Sequence, residues 1–176
     1  MQSYLINLKS VSWYPKSLYM KLILLVVGKT NETWIQSAIA GYEKRLKHYL
    51  PFQVEIIPDL KTTKCLTEEQ IRQKEAEAIL AWIKPGDNMV LLDENGEQYS
   101  SEGFAGLLQK KMLAGNRNLI FVVGGPYGFA PSVYETVRER ISLSKMTFSH
   151  QMVRLFFVEQ LYRAMTILKG EPYHHP

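Results

Sequence analysis

Six apolar residues in a row, Leu22 to Val27, follow Lys21 and stop at Gly28. A run without alternation predicts a strand covered on both faces. Asn88–Asp93 (NMVLLD) and Asn118–Val123 (NLIFVV) repeat the pattern, and Gln53–Ile57 (QVEII) predicts another strand. Between them the period changes to that of helices. From about Glu32 to Leu50, Trp34, Ile35, Ala38, Ile39, Tyr42 and Leu46 share one face, with Pro51 closing the helix. Thr67-Glu68-Glu69-Gln70 reads as a capping box opening a helix to about Ile83, before the turn Pro85-Gly86-Asp87. Ser101 opens a helix through Met112 that ends at Gly115. Pro131 suits the first turn of a further helix with Val133, Val137 and Ile141 inward. Ser142–Phe148 is expected as a short strand or extended loop. Ser149 then caps a long helix carrying Met152, Val153, Phe156, Phe157, Leu161, Ala164, Met165 and Leu168, ended by Gly170. Strands alternating with helices predict an α/β fold, a mostly parallel sheet flanked by helices.

Composition narrows this picture only a little. The 176 residues are 46% hydrophobic and 22% charged, as in soluble globular proteins. A net charge of +4 is compatible with an RNA partner without requiring one. The lone Cys65 leaves no partner for an intramolecular disulfide and no multi-cysteine zinc site. The six-residue apolar run is far too short to span a membrane. Residues 1–19 lack the continuous apolar core of a signal peptide and show no clear period. They are expected to form a poorly ordered extension, with residues 20–176 as one domain and a cytoplasmic location.

Candidate chemistry concentrates in the second half. The stretch Phe121–Pro131, FVVGGPYGFAP, leaves a predicted strand and enters a predicted helix. Its glycines do not alternate as a dinucleotide fingerprint requires, and Pro126 lacks the N–H a phosphate cradle would use. Gly28-Lys29-Thr30 resembles the end of a P-loop, but Ile23 stands where that motif needs its first glycine. Two readings of FVVGGPYGFAP remain: a tight turn needing glycine, or a ligand loop at the carboxyl end of a parallel strand. Four histidines, His48, His150, His174 and His175, form no helical metal-ligand pair, so no metal is expected. No nucleophile elbow occurs. On the last helix His150, Arg154, Glu159 and Arg163 interrupt an apolar pattern, and Glu159 and Arg163 are spaced for a local ion pair. A solvated helix face accounts for these residues as readily as a functional one.

Several motifs together resemble a known family. LLDENG (Leu91–Gly96), SSEGFA (Ser100–Ala105), FVVGGPYG (Phe121–Gly128), LSKMTFSHQMVR (Leu143–Arg154), EQLYRA (Glu159–Ala164) and PYH (Pro172–His174) occur in this order. From Met20 onward the chain is similar to the ribosomal RNA large subunit methyltransferase H family of the SPOUT class. The resemblance implies an α/β fold whose C-terminal part is threaded as a trefoil knot, working as a homodimer. It implies S-adenosylmethionine-dependent methylation of N3 of a pseudouridine in a 23S rRNA stem-loop, on the assembled ribosome. Carried over by position, the cofactor site comprises Leu92, Gly124, Leu143, Ser144, Lys145, Met146, Thr147 and Phe148. In this fold class the last helix and tail border the cofactor cleft. Arg163, Tyr173 and His174 become catalytic candidates, Arg163 to stabilise an imide anion and His174 to relay its proton. His150, Arg154 and Glu159 become substrate contacts. Lys44, Arg45, Lys47, His48, Lys61 and Lys64 are candidate phosphate contacts. The ending His175-Pro176 departs from the basic residue that often follows PYH in the family. Two alternatives stand beside this reading: a SPOUT enzyme for another rRNA or tRNA nucleotide, and a non-catalytic ribosome-binding factor.

Overall fold

A computed structural model describes residues 20–60 and 65–175. The expectation for residues 1–19 lies outside these, as do Lys61, Lys64 and Pro176. Within the described residues five strands alternate with helices. They are β1 (Lys21–Val27), α1 (Thr33–Leu46), β2 (Phe52–Ile57), α2 (Glu68–Leu80), β3 (Asp87–Gln98), α3 (Ser101–Leu113), β4 (Asn118–Val123), α4 (Pro131–Thr136), β5 (Arg140–Ser142) and α5 (Met152–Lys169).

The strands form one sheet in the order β2-β1-β4-β3-β5, every pairing parallel. β1 and β4 lie at its centre, and their uninterrupted apolar runs follow from burial on both faces. Leu22, Leu24 and Val26 point into a core with Phe104, Phe121, Phe157 and Leu161, beneath α1, α3 and α5. Ile23, Leu25 and Val27 point the other way, toward Ala76, Ile79, Val133 and Val137. Three rings, Phe104, Phe121 and Phe157, meet pairwise with centroids 4.7–6.2 Å apart and join sheet to helices.

Local chemistry sets several boundaries as expected. The capping box of α2 is complete: Thr67 Oγ1 accepts from Gln70 N at 3.2 Å, and Gln70 Oε1 accepts from Thr67 N at 2.9 Å. Ser100 caps α3 by accepting from Gly103 N at 3.1 Å. Ser149 Oγ accepts from Met152 N at 3.2 Å, so the turn leading into α5 is capped where expected.

Other elements differ from expectation. α1 ends at Leu46, four residues early, because the chain turns through residues 47–50 before Pro51. Trp34 does not face inward but is 55% exposed, since Ile35, Ile39 and Leu46 alone define the buried stripe. Helix α4 stops at Thr136, where Val137 turns extended (φ −109, ψ 100). Ile141 therefore belongs to β5 and not to that helix. The strand expected within Ser142–Phe148 lies one step earlier, leaving Leu143 onward as loop. Strand β3 runs on to Gln98, with a register shift between Leu92 and Glu97 where it pairs with β5.

Candidate functional site

At the carboxyl ends of β3, β4 and β5 the sheet opens into a cleft of about 720 Å³. Such a volume lies in the range of small-molecule sites, roughly 300–1,000 Å³. Three segments wall it: Leu92–Asn95, where β3 runs past the end of its pairing with β4, Val123–Phe129 leaving β4, and Ile141–His150 leading from β5 to α5. The last of these is held in shape by its own side chains. Ser142 Oγ donates to Ser144 O at 2.8 Å, and Ser144 Oγ accepts from Met146 N at 2.9 Å. Thr147 Oγ1 donates to Glu94 Oε2 at 3.2 Å and ties this wall to the opposite one. Tyr134, from α4, donates to Asp93 Oδ2 at 2.5 Å. Burial and that carboxylate together push the phenol up to about 12, so it stays a donor at neutral pH.

Of the eight expected cofactor positions, Leu92, Gly124, Leu143, Ser144, Met146, Thr147 and Phe148 line this cleft. Lys145 is exposed and outside the lining. His150 also lines it. Burial, then the nearby Arg154 cation, hold the imidazole below its usual range, with Asp59 opposing them, which leaves it neutral at pH 7. The residues that sequence reasoning missed are Asp93, Glu94, Tyr134 and Val153, together with Arg72 from α2. Asp93 and Glu94 directly follow an apolar strand, a signal available in LLDENG. Nothing local pointed to Tyr134 or Arg72.

The glycine-rich loop combines a turn and a wall. Gly128 has φ +75, where glycine is favoured. Gly124 is buried, and a Cβ there would stand 3.1 Å from the Phe129 ring. Tyr127 and Phe129 both line the cleft, Tyr127 exposed and Phe129 buried with its ring behind Gly124.

Arg154 is not where a substrate contact would stand. It is 1% exposed. Its Nη1 donates to Gly28 O at 3.0 Å and to Thr30 Oγ1 at 2.9 Å, and its Nη2 donates to Val27 O at 2.6 Å. The guanidinium thus ties the start of α5 to the end of β1. Nearby, Gln151 Oε1 accepts from Asn31 N at 2.9 Å, ahead of α1.

The remaining candidates gather elsewhere. Arg163 pairs with Glu159 at 2.6 Å, and Tyr173 donates to the same Glu159 oxygen at 3.2 Å. The Arg163 guanidinium lies 4.9 Å from the centre of the Tyr173 ring. Tyr173 and Tyr42 hydroxyls are 3.4 Å apart. Burial first, then the Tyr42 bond and the Glu159 charge, push Tyr173 well above the usual phenol range. His174 Nε2 stands 2.6 Å from Glu102 Oε1, on α3. None of these side chains lines the cleft. Val153 does line it, and Arg163 follows ten residues later, roughly 15 Å along the helix axis. Within one chain the last helix borders the cleft at its beginning, while its end and the tail stand away from it. Lys44, Arg45, Lys47 and His48 are exposed at the end of α1, where Arg45 also lies over the Tyr42 ring at 5.3 Å. Among the described residues no three His, Cys, Asp or Glu side chains gather as a metal site, and no helix is long and apolar enough to cross a membrane.

Comparison with known proteins adds a second line. Residues 20–174 match the family described as predicted SPOUT methyltransferase. A protein of Porphyromonas gingivalis named ribosomal RNA large subunit methyltransferase H is 58% identical over 156 residues, covering 89% of this chain and 99% of that protein. Proteins with the same name from Parabacteroides distasonis and Flavobacterium johnsoniae are 56% and 53% identical over the same shares of each chain.

Proposed function

The chain belongs to the SPOUT methyltransferase family, and on that premise we propose that it methylates N3 of a pseudouridine in a 23S rRNA stem-loop. The methyl donor in this reading is S-adenosylmethionine, the substrate is the assembled ribosome, and the place is the cytoplasm. One observation carries the reading: seven of the eight cofactor positions, drawn from three separate segments, line a single cleft at the carboxyl ends of the central strands.

The cleft suits such a donor. Leu92, Val123, Leu143 and Phe148 offer apolar walls, while the loop backbones offer donors and acceptors without fixed charge. Asp93 and Glu94 supply negative charge at the rim, which favours a cationic ligand. When bound, S-adenosylmethionine supplies an already activated methyl group, so the N3–C bond forms as the S–C bond breaks and the imide proton leaves N3. The protein's task is then to align the nitrogen with that carbon, exclude water and stabilise the imide anion. Arg163 is the cation assigned to the anion, with Tyr173 orienting it and His174 accepting the proton. Glu159 positions Arg163, and His150, at the cleft rim, meets the rRNA. Arg154 instead holds the α5 start in place.

Arg163 and the tail stand away from their own cleft, so they act in the cleft of a second copy. This supports a homodimer. Phe156, 37% exposed and stacked on Phe148 with centroids 4.8 Å apart, offers an apolar surface beside the cleft for that contact. The trefoil threading belongs to the same reading: β5 lies at the sheet edge, yet α5 returns to pack between α1 and α3. Residues 20–176 form the catalytic unit.

The test is nucleoside mass mapping of 23S rRNA after incubating the purified protein and S-adenosylmethionine with ribosomes from cells lacking the gene. A new 3-methylpseudouridine is expected. Methylation of a different rRNA or tRNA nucleotide would move the reading to another target. Ribosome binding without any saturable S-adenosylmethionine binding would make the protein a non-catalytic factor.

A further inference from the structure

Gly125 is a glycine for a reason that backbone conformation does not supply. Its φ is not positive, unlike that of Gly128 three residues on. A Cβ placed on it would fall 2.5 and 2.6 Å from the two carboxylate oxygens of Glu75, and 2.9 Å from the carbon between them. These distances lie well inside van der Waals contact. What keeps position 125 free of a side chain is a carboxyl group reaching it from α2.

Glu75 lies on the inward face of that helix with Ile71, Ala76 and Ile79, and it is 8% exposed. Its carboxyl group lies against Gly125, whose backbone N–H opposes the rise that burial gives the acid. Its Oε2 has no hydrogen-bond partner in the protein among the described residues. Asp59, of the same sign and two residues beyond β2, acts on it and raises its pKa further. A buried acid beside another acid works against folding, and a methionine or glutamine would fill the space at lower cost. The group nonetheless sits on the back of the wall whose front is the cleft. Gly125 lines that cleft and Glu75 does not.

We propose that Glu75 is a positioning residue for the cofactor loop: its carboxyl group packs against Gly125, and so sets the Gly124–Gly125 backbone against the bound cofactor. The side chain missing at Gly125 is the space that carboxyl group occupies. This rests on the reading of the cleft as the methyl-donor site. Because Glu75 touches neither cofactor nor rRNA, its removal changes cofactor affinity while turnover at saturating cofactor is largely kept.

Calorimetric titration of the purified full chain with S-adenosylmethionine and with S-adenosylhomocysteine tests this. The chains compared are wild type, Glu75→Ala, Glu75→Gln, Gly125→Ala and the double variant, each checked for fold by near-UV circular dichroism. Glu75→Ala is expected to weaken both ligands roughly tenfold, because the Gly124–Gly125 backbone loses the group packed against it. Glu75→Gln keeps a group of the same shape there and should recover most of that loss. Gly125→Ala should weaken binding through the collision with the carboxylate. Adding Glu75→Ala to it should cost nothing further, because the collision is then gone. Wild-type-like binding by folded Glu75→Ala, no advantage of Gln over Ala, or losses that multiply in the double variant would overturn the proposal and leave the cofactor site standing. No binding by the wild type would overturn both. Should Glu75→Ala fail to fold, Glu75→Gln and Gly125→Ala decide: Gly125→Ala binding as wild type refutes the proposal.

Discussion

Helix α5 carries two polar regions, and they are satisfied in opposite ways. At its start, Ser149, His150 and Val153 border an open cleft whose loop backbone faces the space, its rim carboxylates Asp93 and Glu94 being bonded by Tyr134 and Thr147. Toward its end, Glu159, Arg163, Tyr173, His174 and Glu102 pair among themselves in two small groups. Polar groups left facing a concave space are ready for a ligand, whereas mutually paired groups are already held in one geometry. The first region has the shape of a binding site in one chain. The second is preorganised but has no cavity of its own, and in the proposed dimer a second copy would supply the missing space.

The comparison can be broken most decisively at the cleft. Gly124→Leu places a side chain against the Phe129 ring and into the cofactor space. It is expected to abolish S-adenosylmethionine binding in calorimetry while the fold persists. Next, Arg163→Ala is expected to lower single-turnover methylation of ribosomes by roughly a hundredfold, the scale of one lost electrostatic stabiliser. Cofactor affinity should stay unchanged. Mixing and re-annealing these two variants should restore activity, because a mixed dimer joins an intact cleft to an intact Arg163. Continued inactivity would place both regions in service of the same chain.

Smaller effects sharpen the picture. Arg154→Met removes the donors of Val27 O, Gly28 O and Thr30 Oγ1. A loss of about 2–3 kcal/mol is expected by urea denaturation, from buried carbonyls left unpaired. An rRNA contact at that position would instead leave stability intact and weaken ribosome binding. Glu75 then separates the regions by pH. Its folded carboxyl is held above the usual range by burial and by Asp59, against the Gly125 N–H. Between the unfolded and folded pKa values the native state holds more protons, so stability falls as pH rises through that window. Glu75→Gln should flatten this part of the stability profile, measured by thermal melts from pH 4 upward. The smallest effect belongs to neither region: Thr67→Ala opens the capping box of α2 and should cost about 1 kcal/mol, with methylation at saturating substrates unchanged.

The strands were legible because a parallel sheet covered on both faces demands unbroken apolar runs, and Leu22–Val27 and Leu119–Val123 are such runs. Helix starts at Thr67 and Ser101 were legible because capping is local chemistry, whereas Ser149 bonds the turn ahead of α5, which begins at Met152. Val133, Val137 and Ile141 misled because four-residue spacing persists through a break: Val137 turns extended, and Ile141 enters the sheet still facing the interior. Trp34 misled because a wide apolar stripe does not reveal which edge the neighbouring helices cover. Most of the cofactor positions were placed by motif likeness, and they converge in space. Glu75 was invisible, since IRQKEAEAIL reads as a charged solvent face until Gly125 is seen beside it.

By itself the sequence determined the order of elements, the parallel sheet, the caps and the loops that carry the family's motifs. These depend on periods and on contacts a few residues apart. Only the tertiary structure decided which charged residues are buried, that Arg154 braces β1, that Glu75 backs Gly125, and that Arg163 and His174 stand apart from their own cleft. Those pairings join residues 50 to more than 120 positions apart in the chain. They arise from the strand order β2-β1-β4-β3-β5 and the helices laid over it, which no local pattern encodes.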